Sequence, residues 1–377
     1  RRQNMKFTIN RDLLLLNLMN VSRALSTKAP MPILTGIKIE ARNNCLFLTA
    51  SNNEISIQSL IKDKRLLQIE EEGIIVVPGK YFIEIVRKTD SKDIDFSVFE
   101  ENIVKILADR SNFSLNALDK DNYPFISFSD SDNVMKLDVG NLRQIIRKTT
   151  FATSLSESRV ILTGVSFSTD GRKLEVVATD SFRLAKKFMF FENEYSINVV
   201  IPSKSLDELN KIFDDVDSIV EMHFSPTKVL FKYKNLLFQT RLIDGTFPNT
   251  SNLIPTDFLT SVKFNKNELI SAIERASLFT TYDSSNIIKL TIHNDKTVEI
   301  DSTSNEIGTV KEELTPLECS KALDFQIAFS SKYLLEALKS FDSTEINLHF
   351  TGEIKPFIIT GDYDVNLTQL ILPVRVS

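Results

Sequence analysis

The chain has 377 residues, a formal net charge of −5, and side chains that are 42% hydrophobic and 25% charged. That length exceeds a single hydrophobic core and suits two or three domains, and the composition excludes a disordered chain. No run approaches the roughly 18 consecutive apolar residues of a membrane helix, and the mild acidity weighs against a protein that coats itself in nucleic acid.

Arg1-Arg2-Gln3-Asn4, ahead of Met5, looks like a cloning remnant, and no signal-peptide core follows it. Phe7-Thr8-Ile9 then reads as a strand running into a helix. Leu34-Thr35-Gly36-Ile37 and Leu48-Thr49-Ala50-Ser51-Asn52 come next, followed by Val76-Val77-Pro78-Gly79-Lys80-Tyr81-Phe82. That last run opens a second helix with Phe82, Ile85 and Val86 on its apolar face, and Asp121-Asn122-Tyr123-Pro124 ends the series.

The series then recurs. Met135-Lys136-Leu137 is strand-like, and Leu142, Ile145 and Ile146 form a helical stripe. Leu162-Thr163-Gly164-Val165 repeats the first marker 128 positions after Leu34, and Val176-Val177-Ala178-Thr179-Asp180 matches Leu48 onward at the same offset. Val165 to Ser168 and Leu174 to Ala178 read as a hairpin around Asp170-Gly171, a turn pair that tolerates positive φ. Val200-Ile201-Pro202-Ser203-Lys204-Ser205-Leu206 resembles the run at Val76, and Ser205-Leu206-Asp207-Glu208 reads as a capping box for the next helix. Gly245-Thr246-Phe247-Pro248 matches Asp121-Asn122-Tyr123-Pro124.

A third pass opens at Val262-Lys263-Phe264, with Leu269, Ala272, Ile273 and Ala276 at helical spacing. Ile300-Asp301-Ser302-Thr303-Ser304-Asn305-Glu306-Ile307 echoes Leu48 to Ile55, and Ile327-Ala328-Phe329-Ser330-Ser331-Lys332-Tyr333-Leu334 echoes Val76 onward. Leu334, Ala337, Leu338 and Phe341 make the last stripe. Three markers with one period of about 125 residues imply three similar α+β domains, at 5–127, 128–254 and 255–377. Each carries two helices packed on antiparallel sheet. Tandem units of this kind can pair edge strands across their boundaries, leaving two terminal edges for a symmetric partner.

Little supports catalysis. His223, His293 and His349 are the only histidines and have no triad-like or metal-binding spacing, and His223 reads as a strand residue. Asp180 has no recurring partner carboxylate, and no glycine-rich phosphate loop exists among 10 glycines. Cys45 and Cys319 lie far apart in no ligand spacing, which suits a reducing, cytoplasmic home. The expectation is a non-enzyme without cofactor or metal. A protein scaffold that never touches nucleic acid and a hydrolase of unrecognised type are the other readings.

Ala178-Thr179-Asp180-Ser181-Phe182-Arg183-Leu184-Ala185, preceded by Arg159-Val160-Ile161-Leu162-Thr163-Gly164, resembles the middle-domain signature of the bacterial DNA polymerase III beta subunit family. Leu242-Ile243-Asp244-Gly245-Thr246-Phe247-Pro248 is similar to the strand closing that domain, and Leu370-Ile371-Leu372-Pro373-Val374-Arg375 to the family's C-terminal tail. Pro32-Ile33-Leu34 and Asp109-Arg110-Ser111-Asn112-Phe113-Ser114-Leu115 match first-domain segments, so the resemblance spans Met5 to the end. Asn252 departs from it, in a stretch where family members often carry Arg.

The resemblance implies a DNA sliding clamp: three similar domains in a crescent, two crescents closing head to tail into a ring around duplex DNA. It implies partners in the replicative polymerase, the clamp loader and other proteins with a clamp-binding motif, and no membrane. By the resemblance, a partner-peptide cleft uses Leu162, Thr179, Ser181, Arg183, Leu184, Pro248, Leu253, Tyr333, Leu370, Leu372, Pro373 and Arg375. The dimer contact uses Phe113 and Leu115 on one side, Leu278 and Phe279 on the other, and Lys28 is a DNA contact. Basic residues opposite the helical stripes, Arg143, Arg147, Lys204 and Lys211 with Arg87 and Lys88, fit both a solvated face and a basic pore lining. A ring needs only weak, sequence-independent attraction to phosphates, so overall acidity is no obstacle.

Overall fold

The computed structural model describes residues 5–26, 31–100, 102–280 and 286–375. The first repeat runs β1 (Lys6–Asn10), α1 (Arg11–Val21), β2 (Gly36–Arg42), β3 (Cys45–Ser51), β4 (Ile55–Ile61), β5 (Leu67–Glu71), β6 (Gly73–Pro78), α2 (Gly79–Lys88), β7 (Asp93–Phe99), β8 (Ile103–Ala108) and β9 (Ser111–Asn116). The second runs β10 (Val134–Asp138), α3 (Val139–Thr149), β11 (Gly164–Asp170), β12 (Lys173–Thr179), β13 (Arg183–Phe190), β14 (Asn198–Pro202), α4 (Ser203–Asn210), β15 (Ile219–Phe224), β16 (Lys228–Tyr233) and β17 (Leu236–Arg241). The third runs β18 (Thr260–Asn265), α5 (Lys266–Ala276), β19 (Ile287–Ile292), β20 (Val298–Ser304), β21 (Gly308–Leu314), β22 (Glu318–Cys319), β23 (Phe325–Ser330), α6 (Ser331–Ser340), β24 (Glu345–Phe350), β25 (Phe357–Gly361) and β26 (Leu367–Ile371).

Within every repeat the opening strand pairs with the hairpin after the second helix: β1 with β7, β10 with β15, β18 with β24. The strand before the second helix turns back onto the first hairpin: β6 on β2, β14 on β11, β23 on β19. Two sequence markers are thereby neighbours, with Gly36 opposite Pro78 and Gly164 opposite Pro202. A Cβ on Gly36 would lie 2.5 Å from Val76 Cγ1, and one on Gly164 2.6 Å from Val200 Cγ1, so this approach requires glycine in both repeats.

The chain forms two compact units, and the middle repeat is divided between them. One unit comprises the chain up to Leu142 with Asp207–Leu242. It holds a five-stranded sheet, β5-β1-β7-β8-β9, and an eight-stranded sheet, β10-β15-β16-β17-β4-β3-β2-β6. The second sheet fuses repeats one and two through β17 and β4, from Leu236 opposite Ser59 to Thr240 opposite Ile55. Beside that seam the Asn235 side-chain amide donates to Asn17 Oδ1 at 3.0 Å and to Leu60 O at 2.9 Å.

The other unit comprises Arg143–Leu206 and the chain from Ile243 onward. Its nine-stranded sheet, β14-β11-β12-β13-β26-β25-β24-β18-β22, fuses repeats two and three through β13 and β26, and a four-stranded sheet runs β21-β20-β19-β23. Strand pairing across both repeat boundaries is therefore real. The idea that only two edges stay open is corrected, since each sheet keeps two end strands. β6 is partly covered, because Leu118 N donates to Val76 O at 2.8 Å.

The helices bury the expected stripes: Leu142, Ile145 and Ile146 on α3, Leu269, Ala272, Ile273 and Ala276 on α5, Leu334, Ala337 and Leu338 on α6 with Phe341 beyond it. Full burial of each large side chain contributes roughly 1.5–3 kcal/mol. On α2 the phase differs: Phe82, Ile83 and Val86 are buried and Ile85 is half-buried. Ser205 is not a cap, because α4 starts at Ser203, directly after β14, and leaves Ser205 buried inside the helix. The hairpin turn is Gly171-Arg172, with Gly171 at φ 62° and Asp170 still paired to Lys173. Among the described residues no helix is long and apolar enough to cross a membrane.

Candidate functional site

β12 and β13 pair up to Thr179 opposite Leu184, leaving Asp180, Ser181 and Phe182 to turn the chain. Asp180 Oδ1 accepts the backbone N–H of Phe182 at 2.9 Å and of Arg183 at 3.0 Å. Thr179 Oγ1 accepts from Ser181 N at 3.2 Å and donates to Arg183 O at 2.6 Å. Together these hold Ser181 at φ 80°, a left-handed conformation that costs a non-glycine residue energy. Asp180 is thus a turn-forming carboxylate. The Ser181 hydroxyl is exposed and accepts from Arg159 Nη1 at 3.1 Å.

Arg183, the next residue, is buried and its charge is used internally. Its Nε lies 3.0 Å from Asp180 Oδ2, its Nη1 pairs with Glu336 of α6, and its Nη2 donates to Phe151 O at 2.6 Å. The guanidinium also stands 4.4 Å over the Tyr333 ring. Burial, followed by the charge of Asp180, pushes the Tyr333 hydroxyl above its ordinary pKa.

β26 completes the site from the far end of the chain, with Arg183 opposite Ile371 and Leu184 opposite Leu370. Val177, Leu184, Ile358 and Leu370 form a buried apolar floor, against which Phe247 and Ile254 pack. Those two bracket the segment containing Pro248, which is half-buried, and Leu253, which is 53% exposed. Past β26 the tail is tied twice: Leu372 N donates to Phe182 O at 2.9 Å, and Val374 N to Ala328 O at 2.7 Å. Leu372, Val374 and Phe182 keep exposed side chains, Pro373 is half-buried and Arg375 is exposed. Leu162 is buried, its carbonyl accepting from Ser154 N at 2.8 Å.

The structure therefore brings together Thr179, Ser181, Arg183, Leu184, Tyr333, Leu370 and Leu372, with Leu184 and Leu370 as floor and Leu372 as rim. Sequence reasoning missed Glu336, Phe151 and the exposed Phe182. Only Asp180, three residues before Arg183, left a trace in local spacing.

The basic candidates divide. Arg143 and Lys204 make no ion pair among the described residues, whereas Arg147 Nη2 lies 2.6 Å from Asp342 Oδ1 and Lys211 Nζ 2.7 Å from Glu208 Oε1. Lys211 also falls just past the end of α4. On α2, Arg87 pairs with Glu84, and Lys88 Nζ is 3.9 Å from the same carboxylate. Lys28 lies outside the described residues. Phe113 and Leu115 are half-buried on β9, which among the described residues pairs with β8 and ends its sheet. Leu278, 67% exposed, and half-buried Phe279 follow α5.

Models of the DNA polymerase III beta subunit match the whole arrangement: the N-terminal domain over residues 5–127, the central domain over 136–249 and the C-terminal domain over 251–375. The chain belongs to the DNA polymerase III beta subunit family. The beta sliding clamp of Bacillus subtilis strain 168 is 41% identical over 377 residues, covering 98% of this chain and 100% of that protein. That of Staphylococcus epidermidis is 40% identical over 376 residues, covering 98% and 99%. A crystal structure of the Bacillus subtilis DNA polymerase sliding clamp superposes with a TM-score of 0.95 at 40% identity, covering 99% of this chain and 100% of that one. A three-domain clamp fold and a sliding-clamp function in replication come with this membership.

Proposed function

We propose that two copies of the chain close head to tail into a ring that encloses duplex DNA in the bacterial cytoplasm. The ring tethers the replicative polymerase and catalyses no reaction itself. The domains would run 5–127, 128–254 and 255–377. One end strand of each unit supplies the closure. β9 carries Phe113 and Leu115 on alternate positions of an otherwise polar edge. β21 ends the four-stranded sheet and is joined to α5 by Arg275, whose Nη2 lies 2.8 Å from Glu312 Oε2, with Leu278 and Phe279 just beyond that helix. Exposed Leu278 and the half-buried Phe113, Leu115 and Phe279 beside open edges suit a covered contact.

Partner peptides from the polymerase, the clamp loader and other clamp-binding proteins would enter at the β13–β26 junction. The observation carrying this reading is an apolar floor, Leu184 and Leu370, rimmed by the exposed side chains of Leu253 and Leu372 and framed by turn, helix and tail. An apolar site with a few fixed polar groups suits a short peptide with Leu and Phe anchors. Two anchors at roughly 1.5–3 kcal/mol each, less ordering costs, give binding on the order of micromolar. Polymerase, loader and repair proteins can then exchange.

The test loads the protein on circular and on linear duplex DNA. Retention on the circle and loss once it is cut is expected; equal retention on both excludes enclosure.

A further inference from the structure

Period-two alternation along β13 puts Lys187 on the same sheet face as Arg183 and Ala185. Arg183 reaches Glu336 and Phe151 O on that face, which is therefore the helix side. The register agrees, since Lys187 lies between Val176 and Leu367, both buried. At the end of α3 on this side, Arg147 and Lys148 meet Asp342 and Asp364.

Every carboxylate oxygen in this cluster already has a donor. Asp342 Oδ1 takes Arg147 Nη2 at 2.6 Å and Oδ2 takes Lys148 Nζ at 2.8 Å. Asp364 Oδ1 takes Lys148, while Oδ2 accepts Asp342 N at 2.9 Å and both Ser343 N and Ser343 Oγ at 2.8 Å. None of these oxygens accepts from Lys187. Its neighbour Lys186, on the opposite face, is paired with Glu175 Oε1 at 2.8 Å, whereas Lys187 makes no ion pair or hydrogen bond among the described residues. Three cations thus face two carboxylates, and the unmatched one is half-buried. A half-buried ammonium without an ion-pair partner of its own costs stability until an anion joins it. Burial first, then the charge of Lys148, push its pKa down against the opposing charges of Asp364 and Asp342, which compensate it only in part.

We infer that Lys187, with Arg147 beside it, is a binding site for one phosphoryl group of the DNA backbone. Arg147 belongs to the same α3 face as Arg143, which makes no ion pair among the described residues, so a phosphate here would continue a basic track along the helix. The assignment rests on the enclosure of DNA proposed above.

The experiment measures the salt dependence of binding to linear duplex, and thermal unfolding, for the native protein and Lys187→Gln. Loss of one phosphate contact should flatten the slope of log K against log salt by about 0.9. The same substitution should raise the melting temperature of the DNA-free protein, because it removes an unmatched charge. An unchanged slope overturns the inference. So does a flatter slope with an unchanged or lower melting temperature, which would mean that the lysine is already matched. In a parallel arm, inorganic phosphate at constant ionic strength that raises the native melting temperature, with no slope difference on DNA, assigns the site to free phosphate instead. Native retention on circular DNA is read separately. Its loss overturns the enclosure reading and this site together, whereas retention with an unchanged slope overturns the lysine site alone.

Discussion

The guanidinium of Arg183 lies 4.4 Å over the ring of Tyr333 while its Nε sits 3.0 Å from Asp180 Oδ2. One side chain thus joins the β12–β13 turn to α6, and so the middle repeat to the third. The charge of this buried cation is used internally. In the proposed peptide site, partner selection would then fall to the apolar floor and rim.

Arg183→Ala would leave Asp180 and Glu336 as unmatched carboxylates and free the Ser181 turn. Breaking a largely buried pair of this kind costs about 3 kcal/mol. A lower melting temperature is expected, together with weaker binding of a Gln-Leu-x-Leu-Phe-type peptide by fluorescence polarisation. Native melting in the variant would show that Arg183 does not hold the turn.

Leu278 and Phe279 follow α5, and Leu278 contributes little to any core at 67% exposure. Replacing both with Ala should leave the fold intact and yield a monomer of 42.8 kDa in place of a dimer of twice that mass. Light scattering coupled to size exclusion decides it. A double variant that remains dimeric puts the contact elsewhere.

The Lys148 cluster should contribute to acid stability. Burial pushes the carboxyls of Asp342 and Asp364 up, but hydrogen bonds from Lys148, joined by Arg147 at Asp342 and Ser343 at Asp364, outweigh it and hold both below the ordinary carboxylate value. A depressed folded value means stability that is complete above about pH 4 and is lost as pH falls through the lower folded values. Lys148→Met should lower the melting temperature at neutral pH, since two carboxylates lose their buried cation. It should also flatten the decline of melting temperature on acidification. Parallel native and variant curves would show that the cluster contributes nothing to this dependence.

Much of the fold was legible because burial imposes periodicity. The stripes at Leu269, Ala272, Ile273 and Ala276 and at Leu142, Ile145 and Ile146 are all inside, and the Gly36 and Gly164 markers recur because Val76 and Val200 press on them. Local propensity misled where tertiary structure decides. Ser205 looked like a cap, but pairing of Pro202 with Gly164 ends β14 there and starts α4 at Ser203. Residue-level contacts of the candidate site were invisible for a different reason. Arg183 meets Ile371 and Glu336 across long stretches of chain, and no short window of sequence encodes such a pairing.

The tail offers the sharpest separation of the proposed peptide site from the proposed ring contact. β26 ends at Ile371, so truncation after that residue keeps every pair from Lys187 opposite Leu367 to Arg183 opposite Ile371. What goes is the exposed Leu372 and Val374 side chains and two backbone hydrogen bonds, from Leu372 N to Phe182 O and from Val374 N to Ala328 O. At about 1 kcal/mol net each, these bonds cost a modest fall in melting temperature. Neither β9 nor β21 is touched, so the dimer should persist. The rim of the cleft is lost, and with it binding of a Gln-Leu-x-Leu-Phe-type peptide, expected to weaken at least tenfold. A truncated protein that stays dimeric and binds the peptide at native affinity would place the partner site away from the β13–β26 junction.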